Sequence, residues 1–357
     1  MAHTLGTVLV TGGAGFIGTA VANRLAADAD RWVVVDNLHA QVHPTNSRPR
    51  ALHPRAELVV RDVTDATAWD ALLDDVRPDT VLHLAAETGT AQSLHEATRH
   101  AVVNVVGTTA MLDALGRAEH VPRHFVLTSS RAVYGEGEWV REDGERYSPG
   151  PRSHAQLASG AWDFPGSGPV PSSASSTPPA PTNVYGATKL AQEHILRAWA
   201  ASHDTTVTAL RLQNVYGPGQ SLTNSYTGIV SLFSRLARSG ESIPLYEDGE
   251  VSRDFVYIDD VASAIAGVMV TKPKAAFSTF DIGSGVGTTL LELAAVIAAF
   301  HRAPNPRVTG EFRDGDIRHA RCRIEAAAET LAWTPRWSLE SGVAALQAWI
   351  ESESMDA

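Results

Sequence analysis

A tyrosine and a lysine four positions apart, Tyr185 and Lys189, are the residues of this sequence best suited to acid–base chemistry. Side chains with this spacing lie on one face of a helix, so the ammonium can act on the phenol beside it. Moving a tyrosine pKa from ~10 to near neutrality requires about 4 kcal/mol of differential stabilisation of the phenolate. A neighbouring positive charge lowers the pKa of a phenol in this direction. The pair therefore indicates a tyrosine that acts as a base.

A serine, Ser130, follows a short apolar segment that predicts a strand at His124–Thr128. Its hydroxyl can donate to and accept from a reacting oxygen of a substrate. On its own a serine at the end of a strand is more often structural. Beside Tyr185 and Lys189 it completes a set suited to proton transfer at an alcohol or a carbonyl.

A glycine-rich segment, Thr11–Gly18, comes directly after the first predicted strand, Thr7–Val10. Glycines in this arrangement permit a tight turn, close approach of a pyrophosphate to the backbone, and close packing of the helix on the sheet. The following helix, predicted over Phe16–Ala27, directs its N-terminal N–H groups at the phosphates. The residues predicted to contact a dinucleotide here are Gly12, Gly15, Phe16, Ile17 and Gly18.

An acidic residue, Asp36, ends the second predicted strand, Trp32–Asp36. A carboxylate at this point accepts from a ribose hydroxyl of the adenosine. It would repel a 2′-phosphate, and Arg48 and Arg50 lie too far along the chain to form a phosphate clamp. The sequence therefore predicts NAD, and not NADP, as the cofactor.

Continuous apolar strands alternate with helical segments in the first half of the chain, which is typical of a parallel sheet covered on both faces. We expect an α/β fold with a Rossmann-like, doubly wound parallel sheet and a smaller, mixed α/β C-terminal substrate domain. Further strands and helices are predicted at 57–60, 80–84, 93–115, 183–200, 207–212, 258–268 and 277–282. The cofactor domain is predicted to span 1–212 and about 254–282, and the substrate domain about 213–253 and 283–357.

An insertion at about 136–181 interrupts this alternation and is rich in Pro, Ser and Gly. Such composition favours a flexible surface loop or a partly disordered linker. The alternative is a lid over the substrate, since long loops in compact domains are often functional.

Composition restricts the class of protein. The chain has 357 residues, a net charge of −11 and one cysteine. The acidic balance argues against binding to nucleic acid, and the single cysteine against disulfides and multi-cysteine metal sites. We expect no metal, no membrane span and no signal peptide, and hence a cytoplasmic enzyme.

Ten segments, spread over nearly the whole chain, carry a resemblance to a known family. They are TGGAGFIG (11–18), VVVDNL (33–38), RDV (61–63), HLAAETGT (83–90), NVVGT (104–108), SSRAVYGEG (129–137), NVYGATK (183–189), RLQNVYGPGQS (211–221), SRDFVYIDDVA (252–262) and GDIRHA (315–320). Together they resemble the extended short-chain dehydrogenases/reductases, and among them the nucleotide-sugar epimerases and dehydratases.

The resemblance implies a role for each matching residue. It makes Ser130, Tyr185 and Lys189 the catalytic trio. Besides the glycine loop, Asp36 and this tyrosine and lysine, it assigns to the cofactor Asn37, Asp62, Val63, Leu84, Ala85, Ala86 and Asn104. It assigns to the sugar nucleotide Glu87, Ser130, Asn214, Arg253 on the pyrophosphate, and Arg318, with His319 at the border. It also implies a homodimer formed through helices near 93–115 and 183–200.

The two residues that directly follow the catalytic serine distinguish the activities within this family. The 4,6-dehydratases carry an Asp-Glu pair there, whereas this chain has Arg131 and Ala132, which cannot perform an acid–base elimination. The strings SSRAVYGEG and AETGT are most similar to bacterial 4-epimerases of UDP-hexoses and dTDP-6-deoxysugars. We therefore expect an NAD-dependent 4-epimerase that acts through a transient 4-keto sugar. Another sugar-nucleotide oxidoreductase of the family, a decarboxylase using Glu87, a dehydratase, and a non-catalytic NAD-sensing scaffold remain as alternatives.

Overall fold

The computed structural model describes residues 5–221 and 228–355. In chain order the strands are β1 (Thr7–Thr11), β2 (Arg31–Asp36), β3 (Ala56–Val60), β4 (Thr80–His83), β5 (His124–Ser130), β6 (Trp139–Arg141), β7 (Arg146–Tyr147), β8 (Ser167–Pro169), β9 (Thr206–Leu212), β10 (Asn214–Tyr216), β11 (Pro244–Leu245), β12 (Ser252–Arg253), β13 (Phe255–Tyr257), β14 (Phe277–Ile282), β15 (Thr288–Thr289), β16 (Arg307–Val308) and β17 (His319–Ala320).

The α-helices, numbered in the same way, are α1 (Phe16–Leu25), α2 (Ala66–Asp75), α3 (Thr90–Ser93), α4 (Ala97–Ala101), α5 (Gly107–Arg117), α6 (His154–Ala158), α7 (Val184–Ala200), α8 (Ile229–Arg238), α9 (Ile258–Thr271), α10 (Leu290–His301), α11 (Glu325–Leu331) and α12 (Leu339–Met355). Short 3₁₀ turns occupy Ala26–Asp28 and Arg131–Tyr134, and a π-helical turn occupies Val102–Val106.

Seven parallel strands form the central sheet in the order β14-β9-β5-β4-β1-β2-β3. The order reverses between β1 and β4, and ligands of such sheets bind at the carboxyl ends of the strands beside this point. The Rossmann-like parallel sheet predicted from the sequence is confirmed.

Both faces of the sheet are covered, because successive residues of a strand point to opposite sides. On one face Val10 and Val34 pack with residues of α1 and α9 such as Ile265. On the other face Leu9 and Phe125 pack with residues of α2, α5 and α7. The two apolar layers fix the ends of the strands, and so the residues that follow them.

The helix predicted over 93–115 is present with different bounds. The short helix α3 is separate from it, and α4, a π-helical turn and α5 follow one another without a break from Ala97 to Arg117. The π-helical turn contains Asn104, which is buried and whose amide hydrogen-bonds the backbone N–H and C=O of Glu87 at 2.8 and 3.1 Å. Such turns often occur at functional sites because they re-aim a side chain.

The prediction of a flexible loop at 136–181 is also wrong for much of the segment. The strands β7, β6 and β8 form an antiparallel sheet, and α6 follows β7. Trp139 is buried and its ring meets Phe164 edge-on at 4.9 Å. The insertion thus has secondary structure and buried side chains of its own.

Buried ion pairs attach this insertion to the C-terminal part of the chain. Arg152 donates both terminal nitrogens to the carboxylate of Glu247, each at 2.8 Å, and lies 3.4 Å from Glu136. Arg318 binds Asp163 and Asp248. The insertion therefore lies against β17 and β12, the second of which contains Arg253. This is where a lid would sit.

The smaller part of the chain has an apolar cluster of its own. It contains Tyr216, Phe233, Tyr257, Leu293 and Leu346, from α8, α10, α12 and the intervening strands. Its sheets have two or three short strands each among the described residues. The mixed α/β character matches the prediction, and the domain boundaries near 213, 254 and 283 stay predictions.

We predict that Arg152→Met lowers the free energy of unfolding by about 3 kcal/mol, because it leaves the buried Glu136 without its cation and Glu247 with Arg318 alone. The matched control is Arg141→Met in the same insertion, whose partner Glu145 is exposed, and its effect should stay under about 1 kcal/mol. Urea denaturation of the three proteins measures both effects. Equal effects of the two substitutions would contradict the anchoring role of Arg152.

Candidate active site

The turn between β1 and α1 is shaped by two close approaches of backbone to backbone. Gly12 has φ of 66°, and a Cβ there would lie 2.7 Å from the nitrogen of Ala85 in the loop after β4. A Cβ on Gly18 would lie 2.4 Å from the Cα of Gly13. Glycine at these positions lets the loop lie flat against the sheet and the helix begin immediately behind it.

Asp36 connects the end of β2 to this loop. One carboxylate oxygen accepts from the N–H of Ala14 at 3.0 Å and the other from that of Leu38 at 2.9 Å. An ionised carboxylate has about four acceptor positions, so capacity remains for a ribose hydroxyl. The Nε2 atom of His43 lies 3.7 Å from the same group.

A cavity of ≈ 410 Å³ runs from Asp36 past the loop towards the end of β5. The residues assigned to the dinucleotide that line it are Gly12, Gly15, Phe16, Ile17, Gly18, Asp36, Asn37, Asp62, Val63, Leu84, Ala85 and Ala86. A glycine cradle at one helix N-terminus, with a carboxylate beside it, fits a dinucleotide. The side chain of Asn104, by contrast, is directed at the loop containing Glu87 and at Thr188 of α7, where it bonds the hydroxyl at 2.9 Å.

Ser130 and Tyr185 meet beyond the inner end of this cavity, which Thr128 lines. The Ser130 hydroxyl accepts from the N–H of Ala132 at 3.1 Å, and it is near enough to the phenol of Tyr185 to favour the phenolate. The first turn of α7 packs directly on the 3₁₀ turn: a Cβ on Gly186 would lie 2.4 Å from the oxygen of Ala132. The side chain of Asn183 caps this helix by accepting from the N–H of Gly186 at 2.8 Å. The close packing of these two backbone segments thus fixes the position of Tyr185 relative to Ser130.

Lys189 lies one turn further along α7 and is 2% exposed. Glu193, one turn further along the same face of the helix, carries the opposite charge and favours the charged form of Lys189. Glu193 in turn accepts from the Ser129 hydroxyl at 2.5 Å and binds Arg211 through two hydrogen bonds of 3.0 and 2.8 Å. The lysine is therefore held beside a carboxylate that is itself fastened to β5 and β9.

Burial shifts the pKa values of Lys189 and Tyr185 in opposite directions. It lowers the pKa of Lys189 to about 7, although Glu193 works against this. It raises the pKa of Tyr185, while the hydrogen bond from Ser130 and the charge of Arg131 lower it. Positive charge close to the phenol is thus required to make the phenolate accessible.

Glu87, one of the residues assigned to the sugar nucleotide, lies at the rim of the cavity. Glu87 lines it and forms an ion pair with Arg99 at 2.8 Å. Arg99 also binds Glu96 at 2.8 Å. The carboxylate of Glu87 is therefore engaged by a cation on α4.

Asn214 and Arg253 lie on the far side of the reaction centre, on β10 and β12. The amide oxygen of Asn214 accepts from Nε of Arg131 at 3.0 Å. Arg253 donates to the backbone oxygen of Ser252 at 2.7 Å, and its charge interacts with that of Arg131. Burial lowers the pKa of both guanidinium groups, that of Arg131 to about 9.

Arg318 differs from this pair because its guanidinium is fully engaged. It donates to Asp163, Glu247 and Asp248 over distances of 2.7 to 3.2 Å, and its side chain is 2% exposed. His319 bonds Asp163 at 3.0 Å. The structure thus places Arg318 in the attachment of the insertion, with no donor left for a sugar nucleotide.

Sequence reasoning missed a buried histidine beneath the site. His83 bridges Thr11 of β1 and Thr108 of α5, with distances of 2.7 and 2.9 Å from its two ring nitrogens. Burial lowers its pKa to about 3, and the charge of Lys189 adds to this. A polar residue within an otherwise apolar strand, Thr80–His83, was the signal available for it.

A second omission is the segment Gly219–Ser221, which lines the cavity opposite the glycine loop. It comes from the part of the chain that follows β10, so both parts of the molecule enclose the dinucleotide cavity. Among the described residues no group of acidic, histidine and cysteine side chains is arranged to hold a metal. In the same part of the chain no helix combines the length and apolarity needed to cross a membrane.

The family model described as "NAD dependent epimerase/dehydratase family" matches residues 8–283. A dTDP-L-rhamnose 4-epimerase of Burkholderia thailandensis is 61% identical over 346 residues, 97% of this chain and 95% of the relative. The UDP-glucose 4-epimerase of Thermotoga maritima, solved with UDP-glucose, is 27% identical, has a TM-score of 0.77 and covers 98% of this chain and 99% of its own. The Thermus thermophilus UDP-glucose 4-epimerase, solved with NAD, is 25% identical, with a TM-score of 0.74 and coverage of 97% and 99%.

We predict that Gly18→Ala abolishes retention of the dinucleotide, because the new Cβ would lie 2.4–2.6 Å from the backbone of Gly13. The loop must then move away from α1. The matched control is Gly116→Ala in α5, where a Cβ meets nothing within 4 Å. This control should keep NAD binding and gain up to about 1 kcal/mol of stability.

Calorimetric titration with NAD and thermal melts of both variants provide the measurement. Wild-type affinity in Gly18→Ala would contradict the assignment of the loop.

Proposed function

Because this chain belongs to the NAD-dependent epimerase/dehydratase family, we propose that it is a 4-epimerase of dTDP-L-rhamnose that uses NAD. The similarity to the Burkholderia relative, which extends over nearly all of both chains, favours this sugar nucleotide over the UDP-hexoses. The observation that carries the proposal is the packing of the first turn of α7 on the turn after Ser130, which brings Tyr185 to Ser130 beyond the inner end of the dinucleotide cavity, with Arg131 and Ala132 next in the chain.

Tyr185, in its phenolate form, takes the proton of the C4 hydroxyl and returns a proton when the sugar is reduced on its other face. The 4-keto sugar between these steps is transient. Ser130 holds the C4 oxygen, since its hydroxyl can donate to that oxygen or accept from it. When bound, NAD supplies reversible hydride transfer at C4. Net consumption of the cofactor is not expected.

The two ends of the substrate have different requirements. The pyrophosphate has to stay fixed, and Arg253 with Asn214 is our assignment for that end. The hexose has to turn over, so its contacts must be few enough to present both faces of the ketone. Strong binding at one end and weak binding at the other satisfies both conditions.

The residues beside the reaction centre disfavour elimination of water and decarboxylation as activities of this protein. Neither Arg131 nor Ala132 offers a carboxylate beside the serine, and Glu87 is paired with Arg99 at 2.8 Å. Arg318, initially assigned to the sugar nucleotide, we now assign to the attachment of the insertion because its donors are all used.

The proposed activity is tested by incubating the purified protein with dTDP-L-rhamnose and with a panel of UDP-hexoses, and reading the configuration at C4 by NMR. We expect the 4-epimer from the dTDP-sugar, without build-up of reduced NAD. Accumulation of reduced NAD in proportion to product would identify a net dehydrogenase instead. No reaction with any sugar nucleotide would contradict the proposal.

Tyr185→Phe should reduce turnover by about 10²–10⁴-fold while folding and NAD binding persist, since only the proton acceptor is removed. Lys189→Arg should also fail, because the planar fork cannot take the place of the compact ammonium. The matched control is Tyr147→Phe, whose hydroxyl bonds Ser167 within the insertion at 2.8 Å, and it should retain activity. An active Tyr185→Phe would refute the mechanism.

We also propose that the enzyme is a cytoplasmic homodimer. The stretch from α3 to α5 carries three exposed large apolar side chains, Leu94, Val102 and Val106. The double variant Val102→Glu/Val106→Glu should then give a monomer by light scattering. The control Val270→Glu, at the end of α9 and 68% exposed, should leave the mass unchanged. A dimer that survives the double substitution would contradict the assigned interface.

A further inference from the structure

Arg131 is the residue of the reaction centre that the proposed mechanism leaves without a task. It follows Ser130 directly and begins the 3₁₀ turn on which the first turn of α7 packs. The same backbone contact that joins serine and tyrosine therefore also fixes the distance from Arg131 to Tyr185. Their charges interact in both directions, each affecting the ionisation of the other.

The guanidinium of Arg131 is incompletely paired. Its Nε donates to Asn214 at 3.0 Å, but its Nη1 atom is buried and has no hydrogen-bond partner among the described residues. A buried charged donor without an acceptor is costly, and proteins rarely keep one outside a functional site. Something that accepts from this atom is thus expected in the working state.

The charged groups facing Arg131 narrow the choice of acceptor. They are Arg253 from β12, Asp316 from the loop before β17, Glu136 from the segment after the 3₁₀ turn, and Tyr185 from α7. Neither carboxylate forms an ion pair with Arg131 within 4.0 Å. Arg253 repels it. The group that gains most from its charge is the phenol, which becomes an anion during the reaction.

Lys189 does not remove this need. Its ammonium is buried, and the negative charge of Glu193 offsets part of its positive charge. The lysine therefore stabilises the phenolate less than a lone ammonium would. An arginine keeps its charge under conditions in which a buried lysine loses it.

We propose that Arg131 is a positioning residue for the reaction: its guanidinium stabilises the phenolate of Tyr185 and supplements Lys189. This rests on the proposed function, since only a tyrosine that acts as a base needs such a charge. It also gives a reason for an arginine at this place in an epimerase. No new bond is formed or broken, because Arg131 keeps its proton throughout.

The decisive measurement is the ionisation of Tyr185 in the NAD-loaded protein, followed by tyrosinate absorbance against pH with the Tyr185→Phe protein as blank. In Arg131→Gln the pKa of Tyr185 should rise by about one unit or more, which lowers turnover at neutral pH by about tenfold. The acid limb of the turnover profile should move by the same amount, and activity should recover at high pH. Arg131→Lys should restore most of the shift.

A second variant keeps Arg131 in place. Asn214→Asp retains the acceptor for Nε and adds a negative charge against the guanidinium, so it too should raise the pKa of Tyr185. The matched control is Arg123→Gln, an arginine that is 81% exposed and pairs with Asp79, and it should change nothing. Should Arg131→Gln fail to fold, Arg131→Met, which keeps the length of the side chain and removes its charge, takes its place in the titration.

An unchanged pKa of Tyr185 in the glutamine or the aspartate variant overturns the inference. A raised KM for the sugar nucleotide with an unmoved pKa does so as well, because Arg131 would then act as a phosphate ligand alongside Arg253. The titration needs no substrate. Failure of the proposed function, seen as absence of any 4-epimer with wild-type protein, is therefore recognised separately.

Discussion

The arrangement of the site depends on one buried carboxylate, that of Glu193. It is 4% exposed, and a charge so placed has to be compensated by partners. It accepts hydrogen bonds from two other elements, Ser129 on β5 and Arg211 on β9, and the charge of Lys189 on its own helix, α7, acts on it as well. Because Ser129 precedes Ser130, the same bond that satisfies Glu193 sets the height of α7 against the sheet. A shift of the helix by one turn would separate the tyrosine from the serine and also leave a buried charge unpaired.

Features encoded within a few neighbouring residues could be predicted from the sequence. The glycine loop is one, since the positions of Gly12 and Gly18 follow from what a strand, a tight turn and a helix require. The placement of Tyr185 and Lys189 on one face of α7 is another, because helical periodicity alone requires it. The central sheet followed from the alternation of apolar strands with helices. In each case the information lies in local spacing, which the rest of the protein did not override.

What could not be predicted depends on partners far away in the sequence. Arg318 reads as a free cation next to a recognised motif, yet its carboxylate Asp163 lies 155 positions earlier in a segment that looks like a loop. That segment is rich in Pro, Ser and Gly, and no periodic pattern marks β6 or β8. The π-helical turn at Asn104 is similar, because the loop that its amide binds is 17 positions away. Local composition carries no trace of such contacts.

Buried and half-buried arginines near the reaction centre of this acidic protein fall into two kinds according to their direct partners. Arg152 and Arg318 each bind carboxylates, and such pairing raises the pKa of Arg318 above its usual range. Arg131 and Arg253 meet only neutral amide and carbonyl oxygens, and burial lowers the pKa of both. The first kind is already neutralised by the fold and can only hold it together. The second kind forms no ion pair among the described residues, so under our proposals the charge of Arg131 acts on the phenolate of Tyr185 and that of Arg253 on an anionic group of the substrate. The net charge of −11 therefore does not keep an anionic substrate out, since the carboxylates that produce it do not form ion pairs with these two cations.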